Sequence, residues 1–368
     1  MGRKRMRIVF CVGSMEQGGA GRVVANLSSE LAKKNEVSLI ITKNEKIGYP
    51  LDKRVGRFIL DKQGQRSSFF GRNLIRIRKM YKIFKKESPD IVISFLPESS
   101  YRLMMIKPFF SFKTIISVRN DPNVEYNTFL KRVFTKALYS MADGFVFQTP
   151  DAKKWFSRKI QNRAMVIPNP INEKFICSPY EGERKKVITN VSRLVVQKKH
   201  EILIDAFADF YKSHNDYCFE IYGDGPRRGI IQKYITEKGL EKSVKLMGKI
   251  SDIKDKIYNS SMFVIASEYE GMPNALMEAM ALGIPCISTD CPIGGPKFLI
   301  KDGENGLLVK VGDRDGIRNA MDRLANDSKL SRTISLNASK SSAQFALKNI
   351  SRIWENYIVK LLGEEERV

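Results

Sequence analysis

Short apolar runs recur along this chain, each pair separated by room for one amphipathic helix, and no other feature constrains the fold as much. Residues 7–14, 36–42, 90–96, 114–118 and 144–149 read as buried strands. Val23, Val24, Leu27 and Leu31 mark one helical face between the first two. Strands without polar alternation, joined by helices, predict a parallel sheet covered on both faces. The rhythm stops at 168–186, a stretch rich in Pro, Gly and polar residues that reads as a linker. It resumes with 187–192, 218–223, 244–248, 262–267 and 285–290, with Leu203, Ala206, Phe207 and Phe210 on an intervening helix. Two Rossmann-like α/β domains are therefore expected, residues 1–170 and 185–342, and 368 residues are enough for two cores. A last helix, about 343–362, carries Ile350, Ile353, Trp354, Tyr357 and Leu361 on one face and is expected to pack back on the first domain. The domains are expected to face a central cleft. Ligands of open parallel sheets bind beyond the carboxyl ends of the strands, so the chemistry should lie in the strand-to-helix loops.

The most informative loop is SEYEGMPNALMEAMALGIP, residues 267–285. Glu270 follows a strand, Pro273 suits a first helical turn, and Gly283 suits a helix end. Glu278 lies four residues after Asn274, on the same helical face. Backbone amides of Gly271, Asn274, Ala275 and Leu276 would make a phosphate seat at the helix N-terminus. A carboxylate on either side of that seat could bond hydroxyl groups flanking a diphosphate. From spacing alone, a capped helix with a solvated glutamate fits equally well.

Glu270 and Glu278 inside EGMPNALMEAMALGIPCISTD resemble the E-x7-E signature of family-4 retaining glycosyltransferases, which have the GT-B fold of two Rossmann-like domains. The resemblance runs along nearly the whole chain, through GGAGRV (18–23), SVRNDP (117–122), VIPNP (166–170), VSRLVVQK (191–198), YGDGP (222–226) and DGENGLLV (302–309). The RNDP and CPIGGP stretches are most similar to bacterial enzymes that extend lipid-linked glycans, N-acetylgalactosaminyltransferases among them. The resemblance implies an acceptor-side first domain and a nucleotide-sugar-binding second domain. It makes Glu270 the partner of donor-sugar hydroxyls and Glu278 that of the ribose. Arg193 and Lys198 match the family's basic pair on the donor diphosphate; a fixed fork and a mobile point charge suit that task. Gly18, Gly19, Gly223, Gly271, Met272, Pro273, Asn274, Ala275 and Leu276 complete the implied donor-binding set. Arg119 stands where relatives often have His, and is expected at the cleft against donor sugar or acceptor. Gly21 replaces the acidic residue that the family usually carries in its GGAER turn.

The implied donor is a nucleotide-diphosphate sugar, taken as a UDP-sugar, with no further cofactor. Retention is implied through attack on the leaving-group face, and a double displacement through Glu270 stays open. No metal is expected: Asp313-Arg-Asp315 falls in a peripheral loop, and neither His200 nor His214 has a partner at ligand spacing. Two other enzyme classes are alternatives, and the first of them shares the fold. A sugar-nucleotide epimerase would not normally carry the paired glutamates and the Arg-x4-Lys set together. An oxidoreductase needs the G-x-G-x-x-G fingerprint, which VGSMEQGGAG lacks.

The net charge of +23 is unevenly spread. Residues 1–180 hold 34 basic and 14 acidic side chains, a net of +20, and the remainder has 29 and 26, a net of +3. The sharpest basic segment is FFGRNLIRIRKMYKIFKK, residues 69–86. Leu74, Ile77, Tyr81 and Phe84 are expected to pack inward as a stripe, leaving a basic outer face. Arg72, Arg76, Lys79 and Lys86, with Phe69 and Phe70 beside them, are expected to meet an anionic membrane surface. Nucleic acid is the competing partner for such charge, but no recognised motif or interleaved aromatic platform supports it. No run approaches the length of a spanning helix, and the N-terminal apolar run, about seven residues leading into a Gly-Gly turn, is too short for a signal sequence. Five scattered cysteines without a CxxC pair point to a reducing compartment. The expected location is cytoplasmic, on the inner face of the cell membrane.

Overall fold

The computed structural model describes residues 5–16, 18–43, 47–61 and 69–363, apart from the side chains of Phe69 and Phe70. The chain divides into two compact units: Met1–Pro170 with Leu347–Val368, and Ile171–Ala346.

The first unit is built on seven parallel strands: β1 (Arg7–Val12), β2 (Glu36–Ile41), β3 (Gly56–Ile59), β4 (Ile91–Phe95), β5 (Lys113–Ser117), β6 (Gly144–Phe147) and β7 (Ala164–Val166). Their order is β3-β2-β1-β4-β5-β6-β7. β4 and β6 are buried throughout because helices cover both faces. β3 and β7 lie at the edges, half-exposed along their length, and no apolar run announces them. The helix Leu347–Leu362 belongs to this unit and packs on the helix Gly19–Leu31. Residues 343–345 form a separate 3₁₀ turn before it. Its inner face is Ile350, Trp354, Tyr357, Ile358 and Val359, with Ile353 and Leu361 only half-buried. Trp354 stacks on Phe95 at 6.2 Å between ring centres. The Tyr357 hydroxyl accepts from the Phe145 amide at 3.1 Å and donates to the Arg163 carbonyl at 2.8 Å, fastening the helix to β6.

The basic helix Phe69–Glu87 is rotated from its expected setting. Met80 and Phe84 are buried, whereas Leu74 and Tyr81 face solvent. Two of its cations cause this. Arg76 turns inward to a two-pronged ion pair with Asp61, at 2.8 and 2.7 Å, which lowers the Asp61 carboxyl below its usual range. The Lys79 ammonium donates to the Leu60 carbonyl. Arg76 and Lys79 thus fasten the helix to the sheet edge, and Arg72, Arg78, Lys82, Lys85 and Lys86 form the exposed basic face.

The second unit holds six parallel strands: β8 (Lys185–Val191), β9 (Cys218–Tyr222), β10 (Val244–Gly248), β11 (Ser260–Ile265), β12 (Cys286–Thr289) and β13 (Leu307–Val309). Their order is β10-β9-β8-β11-β12-β13. Phe207, Phe210, Phe219, Ile221 and Val264 are central to its core. The chain leaves β8 toward β9 on one side and returns as β11 on the other. Such a reversal opens a crevice at the carboxyl ends of the two middle strands. Among the described residues no helix is long and apolar enough to cross a membrane, and no group of three metal-ligating side chains occurs.

Candidate active site

The crevice between β8 and β11 brings together the residues singled out in the second unit. Beyond β8, the Ser192 amide bonds the Tyr222 carbonyl and the Leu194 amide bonds the Asp224 carbonyl, at 2.9 and 3.0 Å. These bonds press the β8 loop against the one leaving β9. Gly223 is required at that crossing, since a Cβ there would stand 1.9 Å from the Ser192 carbonyl oxygen and its φ is +137°. Arg193 is exposed at the mouth of the loop, its guanidinium in no ion pair among the described residues. Lys198 closes a 3₁₀ turn, Val196–Lys198, and Lys199 takes the left-handed conformation at φ +49° before the helix His200–Tyr211 begins. A lysine is strained there, which fixes where its neighbour Lys198 emerges.

Beyond β11, Glu270 is buried and its Oε1 is held by two donors, the Lys198 ammonium and the Ser267 hydroxyl, the latter at 2.7 Å. Its backbone is clasped on both sides by the loop after β12. The Glu270 amide donates to the Pro292 carbonyl at 2.8 Å, and the Ile293 amide donates to the Glu270 carbonyl at 3.2 Å. Gly295 lets that loop come close, because a Cβ would fall 1.9 Å from the Gly271 carbonyl oxygen. Cys291 in the same loop is buried, and burial with the nearby Glu270 charge pushes its thiol up to about 12, so it stays protonated. The helix Asn274–Ala281 starts one residue later than the sequence suggests: Pro273 is its N-cap with extended backbone, not part of its first turn. Asn274, Ala275 and Leu276 supply its first amides, while Met272 and the Leu276 side chain are buried. Glu278 is buried one turn inside the helix.

His200, given no role in the sequence reading beyond lacking a metal-ligand partner, adds a component to the site. It is buried, and burial followed by the charges of Lys198 and Arg227 lowers its pKa to about 4, so the ring is neutral near pH 7. Asn190 Nδ2 donates to the Val264 carbonyl at 2.7 Å and Ser192 Oγ donates to Asn190 Oδ1 at 2.7 Å. The Ser192 oxygen therefore accepts from His200 Nε2–H, at 2.8 Å, which fixes the tautomer. This chain of bonds brackets the loop carrying Arg193 and Lys198. His200→Ala is expected to lower kcat by about ten- to a hundredfold through misplacement of Lys198, and His200→Gln to recover part of it. Equal kcat for wild type and alanine variant would limit His200 to packing.

The remaining candidates lie in the first unit. The Gly18-Gly19 turn follows β1 and leads into the helix Gly19–Leu31, but the Gly18 amide is taken, donating to the Tyr49 hydroxyl at 2.9 Å. That hydroxyl donates back to the Gly18 carbonyl at 3.1 Å, so Tyr49 straps the turn. Arg119, expected at the cleft against donor sugar or acceptor, is 8% exposed. Its guanidinium lies over Phe95 at 4.6 Å and Trp354 at 5.7 Å and donates to Asn169 Oδ1 at 2.8 Å. Aromatic faces compensate part of its desolvation, and burial still pulls its pKa down to about 9. Asp313 accepts from the Gly316 amide as the N-cap of the helix Arg314–Asn326, a structural role for the DRD sequence.

Comparison with known proteins gives the family and the fold. Residues 17–175 match the family Glycosyltransferase Family 4, and residues 173–341 match Glycosyl transferases group 1. The Campylobacter jejuni GalNAc-alpha-(1->4)-GalNAc-alpha-(1->3)-diNAcBac-PP-undecaprenol alpha-1,4-N-acetyl-D-galactosaminyltransferase is 24% identical over 365 residues, 98% of this chain and 99% of that protein. An exopolysaccharide phosphotransferase of Streptomyces coelicolor is 32% identical over 228 residues, 61% of this chain but only 24% of that much longer protein. The Anabaena protein HepE, solved in complex with UDP and glucose, matches the fold with a TM-score of 0.82 at 18% identity, covering 97% of this chain and 100% of that one. The two family matches adjoin and together take in residues 17–341, and the chain belongs to the glycosyltransferases of GT-B fold.

Proposed function

We propose that this glycosyltransferase moves a hexose or N-acetylhexosamine from a UDP-sugar to a lipid-linked glycan, with retention of configuration. The observation that carries the reading is the pairing of half-buried Lys198 with buried Glu270 beside a helix N-terminus at the β8/β11 crevice. A diphosphate seated at that terminus would draw Lys198 to itself, freeing Glu270 Oε1 to accept hydroxyl groups of the donor sugar while Ser267 keeps the carboxylate in place. Lys198 and the exposed Arg193 would then stabilise the charge that grows on the departing UDP. The acceptor hydroxyl would approach on the same face, its proton passing to a phosphate oxygen. With the donor in place Glu270 would accept from the Ser267 hydroxyl and from hydroxyl groups of the donor sugar, and a carboxylate so occupied is a poor nucleophile, which favours this route over a covalent glycosyl–Glu270 intermediate. UDP as the nucleotide is supported by HepE, and a diphosphate-lipid acceptor by the name of the Campylobacter relative, which aligns over nearly the whole chain. Such an acceptor would bring the protein to the cytoplasmic face of a membrane.

The test offers α-linked UDP-sugars to the purified protein with an undecaprenyl-diphosphate-linked glycan, or the same glycan without lipid. An α-linked product made mainly on the lipid-linked acceptor is expected by mass spectrometry and proton NMR. A β-linked product would overturn retention, and equal use of the lipid-free glycan would overturn the acceptor assignment. Glu278 is assigned to the ribose. Glu278→Ala is expected to weaken UDP binding by about ten- to a hundredfold, the scale of one lost bond to a charged group. Unchanged UDP affinity by calorimetry would remove Glu278 from the nucleotide site.

A further inference from the structure

The three most exposed large apolar side chains among the described residues are Phe129 at 79%, Leu130 at 78% and Phe109 at 70%. All three lie in one layer of the first unit. Phe129 and Leu130 open the helix Phe129–Tyr139, whose Val133 and Phe134 are exposed as well. At 100° per residue these four side chains share one stripe, with Lys131 along one border and Lys136 along the other. The opposite face fastens the helix to the unit. Thr135 bonds the Tyr101 hydroxyl at 2.6 Å, Tyr139 is buried, and Arg132 Nε donates to the Tyr126 carbonyl at 3.0 Å. The stripe therefore faces outward by construction rather than by fraying.

Beside this helix a groove of about 450 Å³ has Val133, Ala137 and Ile160 on its apolar walls and Lys136, Lys159 and Arg163 among its lining. Residues 129–163 hold eight basic side chains and two acidic ones. The helix Pro97–Ile106 packs alongside, with Tyr101 against Phe134 at 5.4 Å, and next to it lies the helix Phe69–Glu87. There Tyr81 and Phe109 meet at 6.2 Å, among the exposed Arg78, Lys82 and Lys85.

We propose that the helix Phe129–Tyr139 is the membrane-docking element of the protein. Phe129, Leu130, Val133 and Phe134 enter the boundary between headgroups and acyl chains of an anionic bilayer, and Lys131 and Lys136 remain at phosphate level. An apolar stripe bordered by lysines on both sides fits a planar interface with apolar and anionic layers. The groove, apolar within and cationic in its lining, suits a lipid phosphate with the start of its chain. A second copy of this chain is a poor occupant, because pairing this face with itself opposes two surfaces of the same strong positive sign. The proposal deepens the lipid-linked-acceptor reading by naming where the protein meets the lipid, and rests on it only for that purpose. It also moves the centre of docking away from the 69–87 helix, where Arg76 and Lys79 are committed inward.

The test is co-sedimentation of the full chain with phosphatidylcholine vesicles, with and without phosphatidylglycerol. The wild type should bind the anionic vesicles. The double variant Phe129→Ser, Leu130→Ser should lose about tenfold or more of that binding at low salt. Lys131→Gln with Lys136→Gln should bind as weakly at low salt as the wild type does at high salt. Hydrolysis of a soluble UDP-sugar should be the same in all of them. Wild type that stays in the supernatant overturns the proposal. So does full binding by the Phe129/Leu130 variant while Arg78→Gln with Lys82→Gln releases it, which would assign docking to the 69–87 helix. A concentration-dependent dimer abolished by the Phe129/Leu130 changes would identify a second copy as the occupant. A wild type that binds vesicles yet turns over no donor sinks the transferase reading and leaves this one standing.

Discussion

Glu270→Gln is expected to lower sugar transfer by about two to three orders of magnitude at saturating donor, with the fold intact. The amide has the size of the carboxylate and can keep the Ser267 bond. What it loses is the charge that faces Lys198. Without that charge the site can no longer exchange one partner of Lys198 for another as the leaving diphosphate forms. The loss should appear in kcat rather than KM, since the affected interactions strengthen at the transition state. The clasp of the 292–293 backbone on Glu270 does not involve its side chain, so the melting temperature should stay close to that of the wild type. Near-normal turnover would take Glu270 out of the catalytic set.

Lys198→Ala should be similarly severe, again about two to three orders of magnitude in kcat. Lys198→Arg should recover little, because a planar fork does not reproduce a compact ammonium emerging from a tight turn. The variant also leaves Glu270 buried with only the Ser267 hydroxyl as its described side-chain donor, so some stability should be lost as well. Because the two side chains contact each other, their effects should not add. The double variant Glu270→Gln, Lys198→Ala should be only slightly slower than either single one. Fully multiplicative losses in kcat would mean that the two residues act on separate steps, contrary to the exchange proposed for them.

How far these features were legible in the sequence depends on how many neighbours each residue packs against. Inner strands such as β1, β4 and β11 are covered on both faces and write themselves as largely apolar runs. β3, β7 and β13 are short edge strands, covered less completely, and leave no such run. The Glu270 loop was legible because its parts are local: two glutamates and a helix start lie within nine residues. The setting of the Phe69–Glu87 helix was not, because it depends on Asp61 and the Leu60 carbonyl, which periodicity does not register. Ser192 and His200 flank both cations in SRLVVQKKH, and that flanking was the available signal for His200. The outward stripe of Phe129, Leu130, Val133 and Phe134 has the spacing of an inward one. Only the packing of Thr135, Tyr139 and Arg132 shows which way it faces.

The most direct test of the central claim is the release of nucleoside diphosphate from a panel of nucleotide sugars. It is followed with the lipid-linked acceptor present, for the wild type and the Glu270→Gln and Lys198→Ala variants. Transfer at the β8/β11 crevice predicts UDP release from a UDP-sugar by the wild type, in step with glycosylated product, and a collapse of both in the two variants. Release that continues undiminished in both variants, or a nucleotide sugar altered without any transfer to acceptor, would contradict it.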